Sequence, residues 1–149
     1  MNAQKNIHTQ SLPNTTLRLE QAVIAGLLIS PEAIFDVADR LQPDMFSDNR
    51  IGFVYRTVLS LMNSGIAVDM LTVENEMRRL DNSLYMQLNG LSFLSDILLD
   101  VRTDTHIRIH ADQLVRCYTL RRLVNELKKK ETEAQLPSAD VTALLTGIE

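Results

Sequence analysis

From Thr105 to Glu131 the chain contains neither glycine nor proline, and its apolar residues recur at intervals of three and four: Ile107, Ala111, Leu114 and Tyr118, then Leu120, Val124 and Leu127. Each of these two runs keeps the period of an α-helix, because 3.6 residues complete a turn. The predicted helix is longer than the average globular one. The rest of the chain points the same way. With 5 Gly, 4 Pro, no Trp and 5% aromatic residues, it lacks the turn signals and β-rich runs that sandwiches and barrels need. The expected fold class is all-α.

Residues 1–14 are Asn-, Gln-, Thr- and Ser-rich with little to bury, so they are expected to form a mobile arm. Residues 15–101 are expected to form a globular bundle of about five helices. Leu19, Ala22, Val23, Gly26 and Leu27 give the first stripe, with Thr15 or Thr16 as its cap. Gly26 costs helix stability there, on the order of 1 kcal/mol relative to Ala, and suits a position where another helix crosses closely. Ser30, Pro31 and Glu32 open a second helix burying Ile34, Val37, Ala38 and Leu41. Pro43 ends it, and Met45 and Phe46 plug the core from a turn. Asp48 caps a third helix through Ile51, Val54, Tyr55, Val58, Leu59 and Met62, stopped at Gly65. Asp69, accepting from near Thr72, opens a fourth that turns Val73, Met77 and Leu80 inward and Glu74, Glu76, Arg78 and Arg79 outward. After a looser stretch from Asp81 to Asn89, Leu91, Leu94, Ile97 and Leu98 mark a fifth. Residues 102–149 then pair the long helix with a last one, capped by Ser138 and carrying Val141, Leu144, Leu145 and Ile148, as a helical hairpin.

Several chemistries lack their residues. A phosphate-binding P-loop needs GxxxxGK[ST], so that backbone N–H groups wrap phosphate and a lysine reaches its end. The only lysines are Lys5 and Lys128 to Lys130, and none follows a glycine. His106 and His110 have the one-turn spacing of two zinc ligands, but Ile107, Arg108 and Ile109 between them supply no general base and one repelling cation. Surface histidines are the better reading. Glu74 with Glu76, and Asp36 with Asp39, fall on outward helix faces rather than across a cleft, and no Ser or Cys stands at a nucleophile's motif spacing. No catalytic, cofactor-binding or metal-binding residue is therefore assigned. The single cysteine, Cys117, sits in an apolar helical pattern and suits a reducing cytosol, while no apolar run approaches membrane-spanning length. A cytoplasmic protein without membrane contact is expected.

The net charge of -4 gives no overall attraction to phosphate, although Arg102, Arg108, Arg116, Arg121, Arg122 and Lys128 to Lys130 place 8 of the 15 basic residues in the last third. A solvated helix face explains them at least as well as nucleic acid does.

Glu20 to Ala33, the turn Leu41 Gln42 Pro43 Asp44 Met45 Phe46 Ser47 Asp48, and Val68 Asp69 Met70 Leu71 Thr72 Val73 occur in an order and spacing that resemble the N-terminal domain of bacterial replicative DNA helicases, the DnaB family. The resemblance runs from about Leu17 to Leu127 and weakens after Leu80. The chain departs from the family pattern at Ile51 and Gly52, at Asn89 to Phe93, and at Arg102 to Thr105. The resemblance implies a helical bundle followed by a hairpin that pairs with another hairpin. It also implies a role in assembling a hexameric ring and in docking primase, with a helicase loader as a further partner. ATP, magnesium and DNA would be bound only by a motor domain that this chain lacks, so the chain alone would not be an enzyme.

The hairpin supplies the candidate site. Leu114, Tyr118, Leu123, Leu127, Leu144, Leu145 and Ile148 would bury apolar area between two copies, with Arg121 and Arg122 at a polar rim. The competing readings are a hairpin folded back on its own globular part, and a self-standing all-helical DNA-binding or adaptor protein.

Overall fold

Side-chain caps and left-handed stops bound two of the helices. The computed structural model describes residues 3–100, 106–135 and 141–147, with side chains from residue 15 onward except that of Leu144. Every element among them is helical: α1 (Ala3–Ile29), α2 (Ile34–Val37), α3 (Asn49–Asn63), α4 (Met70–Leu88), α5 (Gly90–Asp100), α6 (Ile107–Ala134) and α7 (Val141–Thr146), with short 3₁₀ turns at Pro31–Ala33 and Pro43–Met45. The chain divides into two compact units, 1–115 and 116–149.

In the first unit, Val23, Ile24, Ala25 and Leu27 of α1, Val54, Tyr55 and Val58 of α3, and Val73 and Met77 of α4 are buried in one apolar core. α1 begins at Ala3, within the segment whose composition predicts an arm, so Thr15 and Thr16 lie inside the helix and do not cap it. Neither Thr is incompatible with a helix interior; their preference for caps is weak where a ladder already precedes them. The second helix is shorter than predicted. Ser30 makes no side-chain cap bond, Pro31 opens a 3₁₀ turn, and α2 spans Ile34–Val37. Hydrogen bonds from Arg40 and Leu41 back to the Val37 carbonyl still carry Leu41 into the core.

Asp48 caps α3 through a 2.9 Å bond from the Arg50 N–H. The helix ends in a Schellman motif: Gly65 adopts φ 67°, Ile66 N–H reaches the Leu61 carbonyl at 2.9 Å and Gly65 N–H the Met62 carbonyl at 3.0 Å. Asp69 and Thr72 form a reciprocal capping box at the start of α4, with bonds of 2.8 and 2.9 Å.

Two expectations fail in α4. The stretch after Asp81 is helical, because Asp81 leaves helical geometry (φ -159°, ψ 89°) and its carboxylate caps a new segment at the Leu84 N–H, 2.9 Å away. The apparent looseness is thus a break followed by a restart. Glu76 does not face outward; it is buried, and its carboxylate takes a hydrogen bond from Ser60 and a two-pronged one from Arg79. Asn89 then takes the left-handed conformation and α5 follows at once. α5 buries Leu94 and Ile97, while Leu91, predicted inward, is exposed. Gly90 holds the inward place instead, because a Cβ there would meet the Tyr85 ring at 2.2 Å.

α6 contributes Ile107, Ala111 and Leu114 to the core of the first unit, and Asp112 pairs with Arg40 at 2.7 Å. Arg102 to Thr105, where the chain departs from the family pattern, and Ser138, the predicted cap of the last helix, lie outside the described residues.

Candidate interaction surface

The second unit holds α6 from Arg116 and α7. Along α6, Leu120, Leu123, Val124 and Leu127 are each about half exposed, at 47–55%, and on α7 Val141 and Leu145 are more open still. A helix with this many half-covered aliphatic side chains within two turns offers a contiguous apolar surface. The first unit also exposes large apolar residues, Phe35, Leu71, Met86 and Leu99 among them, and scattered exposed apolar residues are ordinary for a folded surface.

A groove of about 480 Å³ runs along the second unit, lined by Tyr118, Thr119, Arg122, Leu123, Glu126, Leu127 and Gly147. Its α6 wall is made of two rows at four-residue spacing, Tyr118–Arg122–Glu126 and Thr119–Leu123–Leu127. Such rows stand one above another on a helix face. The guanidinium of Arg122 lies 5.8 Å from the Tyr118 ring centre and that of Arg121 lies 5.9 Å from it, within cation–π range. The rim therefore carries positive charge beside an aromatic face, and Glu126 adds one negative charge inside the groove.

Of the predicted site residues, Tyr118, Arg122, Leu123 and Leu127 line this groove, and Arg121 flanks it through the Tyr118 ring. Leu145 is exposed on α7. Leu114 is corrected: it is 1% exposed and belongs to the core of the first unit, so it offers no surface to a partner. It falls on the same helical stripe as Tyr118, and one stripe serves the core at one end and the surface at the other. The Leu144 side chain and Ile148 lie outside the described residues. Thr119, Glu126 and Gly147 were not predicted. The four-residue rows would have identified the first two; only the packing of α7 identifies Gly147.

Glu74 accepts from the Tyr85 hydroxyl and from Arg78, both at 2.8 Å, and the Tyr85 bond first holds its carboxyl below the usual range. Its partners are structural. Among the described residues no three His, Cys, Asp or Glu side chains are grouped to hold a metal ion, and no helix is long and apolar enough to cross a membrane.

Residues 12–116 match the family of DnaB-like helicase N terminal domains. The chain belongs to that family. It is 31% identical over 145 residues to the replicative DNA helicase DnaB of Rhodothermus marinus, covering 96% of this chain and 15% of that protein. It is 29% identical over 138 residues to the replicative DNA helicase DnaC of Bacillus subtilis, covering 93% of this chain and 30% of that one. This chain thus spans less than a third of these relatives' length. The crystal structure of the DnaB helicase N-terminal domain from Mycobacterium tuberculosis superposes with a TM-score of 0.76 at 30% identity, over 89% of this chain and 92% of that one. The corresponding domain from Helicobacter pylori, described with its interactions with primase, shares the fold at a TM-score of 0.70 and 17% identity, over 91% of this chain and all of that one. The DnaB-type fold expected from the sequence is therefore the one found.

Proposed function

We propose that this chain is the assembly and primase-docking part of a replicative DNA helicase, acting in the cytoplasm. Its α6–α7 unit pairs with the same unit of a second copy, as part of a hexamer in the full-length protein, and offers a surface to primase and to a helicase loader. The chain alone turns over no ATP, having no lysine that follows a glycine. ATP, magnesium and DNA belong to the motor part of the parent protein.

The observation that carries this reading is the half-exposed row Leu120, Leu123, Val124 and Leu127 on α6, in a chain of this family. Apolar area buried against a like surface contributes about 25 cal/mol per Å². A self-complementary contact needs no second evolved surface, which favours a symmetric pair.

Sedimentation of the chain and of Leu123→Arg and Leu127→Arg tests it, with circular dichroism confirming that the variants stay folded. The parent should sediment as a dimer at micromolar concentration and both variants toward the monomer. Both variants should also lose retention on immobilised primase. Equal masses for parent and variants, or undiminished primase retention, would overturn the reading.

A further inference from the structure

Residues 82–88, the second segment of α4, are set off at each end by a single residue. Asp81 before them has φ -159° and ψ 89°, and Asn89 after them is left-handed at φ 51° and ψ 59°. Neither has the dihedrals of an α-helix, so the segment can part from the bundle without unwinding the helix on either side. Tyr85 is its one buried residue. Leu84 and Leu88 are partly covered, and Asn82, Ser83, Met86 and Gln87 are exposed.

Tyr85 ties the segment back across the break. Its hydroxyl donates to the Glu74 carboxylate at 2.8 Å, 11 residues earlier. Arg78 donates to that hydroxyl at 3.3 Å and to Glu74 at 2.8 Å, and its guanidinium lies 4.6 Å from the centre of the Tyr85 ring. In a straight helix residues 74 and 85 would stand about 16 Å apart along the axis, so the bond between them depends on the bend at Asp81. The ring also lies against the start of α5: a Cβ on Gly90 would fall 2.2 Å from Tyr85 Cε2 and 2.4 Å from Cδ2. The ring is rigid and Tyr85 is 5% exposed, so it has no free space to swing into. The same segment walls a cleft. Leu84 lines an opening of about 240 Å³ together with Pro43 and Asp44 of the preceding turn and Gly52, Phe53 and Arg56 of α3.

We infer that residues 82–88 are a strap that opens as a unit, hinged at Asp81 and Asn89 and latched by Tyr85, and that its opening withdraws the Leu84 wall and deepens the cleft toward the buried Phe53. A segment held by few side chains opens at a lower cost than the whole fold, and here the holding bonds converge on one hydroxyl. The strap lies in the first unit, so the inference goes beyond the docking role of α6 and α7 and does not depend on it.

Native-state amide exchange of the full chain in low urea tests it. Amides of the strap should exchange faster than those of α3 and with little dependence on urea, while α3 amides follow the full slope of unfolding. Tyr85→Phe keeps the ring and removes the hydroxyl, and should speed strap exchange about tenfold, as expected for losing a hydrogen bond to a charged group. Glu74→Ala should then add less than about twofold in the Tyr85→Phe background, because both changes break the same bond. Val37→Ala, which weakens the core through α2, should speed α3 exchange but leave the strap within about twofold of the parent, since the strap opens with α2 still in place. Strap and α3 amides sharing one rate and one urea slope, strap exchange unmoved by Tyr85→Phe, or strap exchange rising together with α3 exchange in Val37→Ala would each overturn the inference.

Discussion

The carboxylate of Glu20, fully buried in α1, accepts the backbone N–H of Ser47 at 2.5 Å and its hydroxyl at 2.6 Å, and the N–H of Asp48 at 3.1 Å. One side chain thus satisfies the turn that launches α3. Removing it leaves two N–H groups of that turn without their acceptor, and an unsatisfied buried donor costs its full desolvation. Glu20→Ala is expected to lower stability by about 3 kcal/mol, and Glu20→Gln by less, since an amide oxygen still accepts. Urea denaturation measures both; a Glu20→Ala loss below about 1 kcal/mol would contradict the role given to this carboxylate.

Gly52 is required by crowding, not by backbone conformation. A Cβ at this position would lie 2.8 Å from the Pro43 carbonyl oxygen and 3.5 Å from Phe46 Cβ. In an open helix Gly→Ala gains about 1 kcal/mol, but here the backbone of the preceding turn must shift, at a cost of about 1–3 kcal/mol. Gly52→Ala should therefore destabilise. Gly65→Ala, with open space around it and φ 67°, should cost only about 1 kcal/mol through strain. Thermal melts that rank the two variants the other way would refute the crowding argument.

Glu76 makes stability fall in acid. Its bonds from Arg79, then from Ser60, hold its carboxyl down to about 2, against an ordinary value of 4.5. Above about pH 4.5 the group is ionised whether folded or not, and its contribution is fully present. As pH falls from there toward 2 the unfolded chain takes up the proton first, and the contribution is lost. Asp48 and Asp69 are also lowered, by bonds from Arg50 and from the Thr72 N–H, and add to the same slope. Glu76→Gln should be less stable at pH 7 and should flatten the acid limb. Urea midpoints taken between pH 5 and 2.5 would expose a mistake here if the two proteins lost stability in parallel.

The DNA-binding alternative makes a different forecast from the docking role. With a net charge of -4 the chain should bind single-stranded oligonucleotide no more tightly than about 10 μM at physiological salt. Fluorescence anisotropy settles this, and tight binding with a steep salt slope would favour the regulator reading over assembly.

Helix content and several caps and stops were legible because they depend on neighbours in sequence, although the caps expected at Ser30 and at Thr15 or Thr16 did not form. Asp48, Gly65 and the Asp69–Thr72 box act within a few residues, and the structure holds each where the pattern put it. Glu20 and Glu76 were misjudged or missed because their partners are distant: Ser47 is 27 residues from Glu20, and Ser60 is 16 from Glu76. A carboxylate looks like a surface residue until the fold brings donors to it. Leu114 and Tyr118 share one helical stripe, and only the packing assigns the first to the core and the second to the groove.

The family match stops at residue 116, partway along α6, which continues unbroken to Ala134. A protein trimmed at that point would end mid-helix, stripping the carbonyls of residues 113–116, Leu114 among them, of their donors. Recombination between relatives at this border would have to preserve helical phase, because each inserted or deleted residue rotates everything downstream by about 100°. The seam between the two units therefore tolerates substitution far better than a change in length.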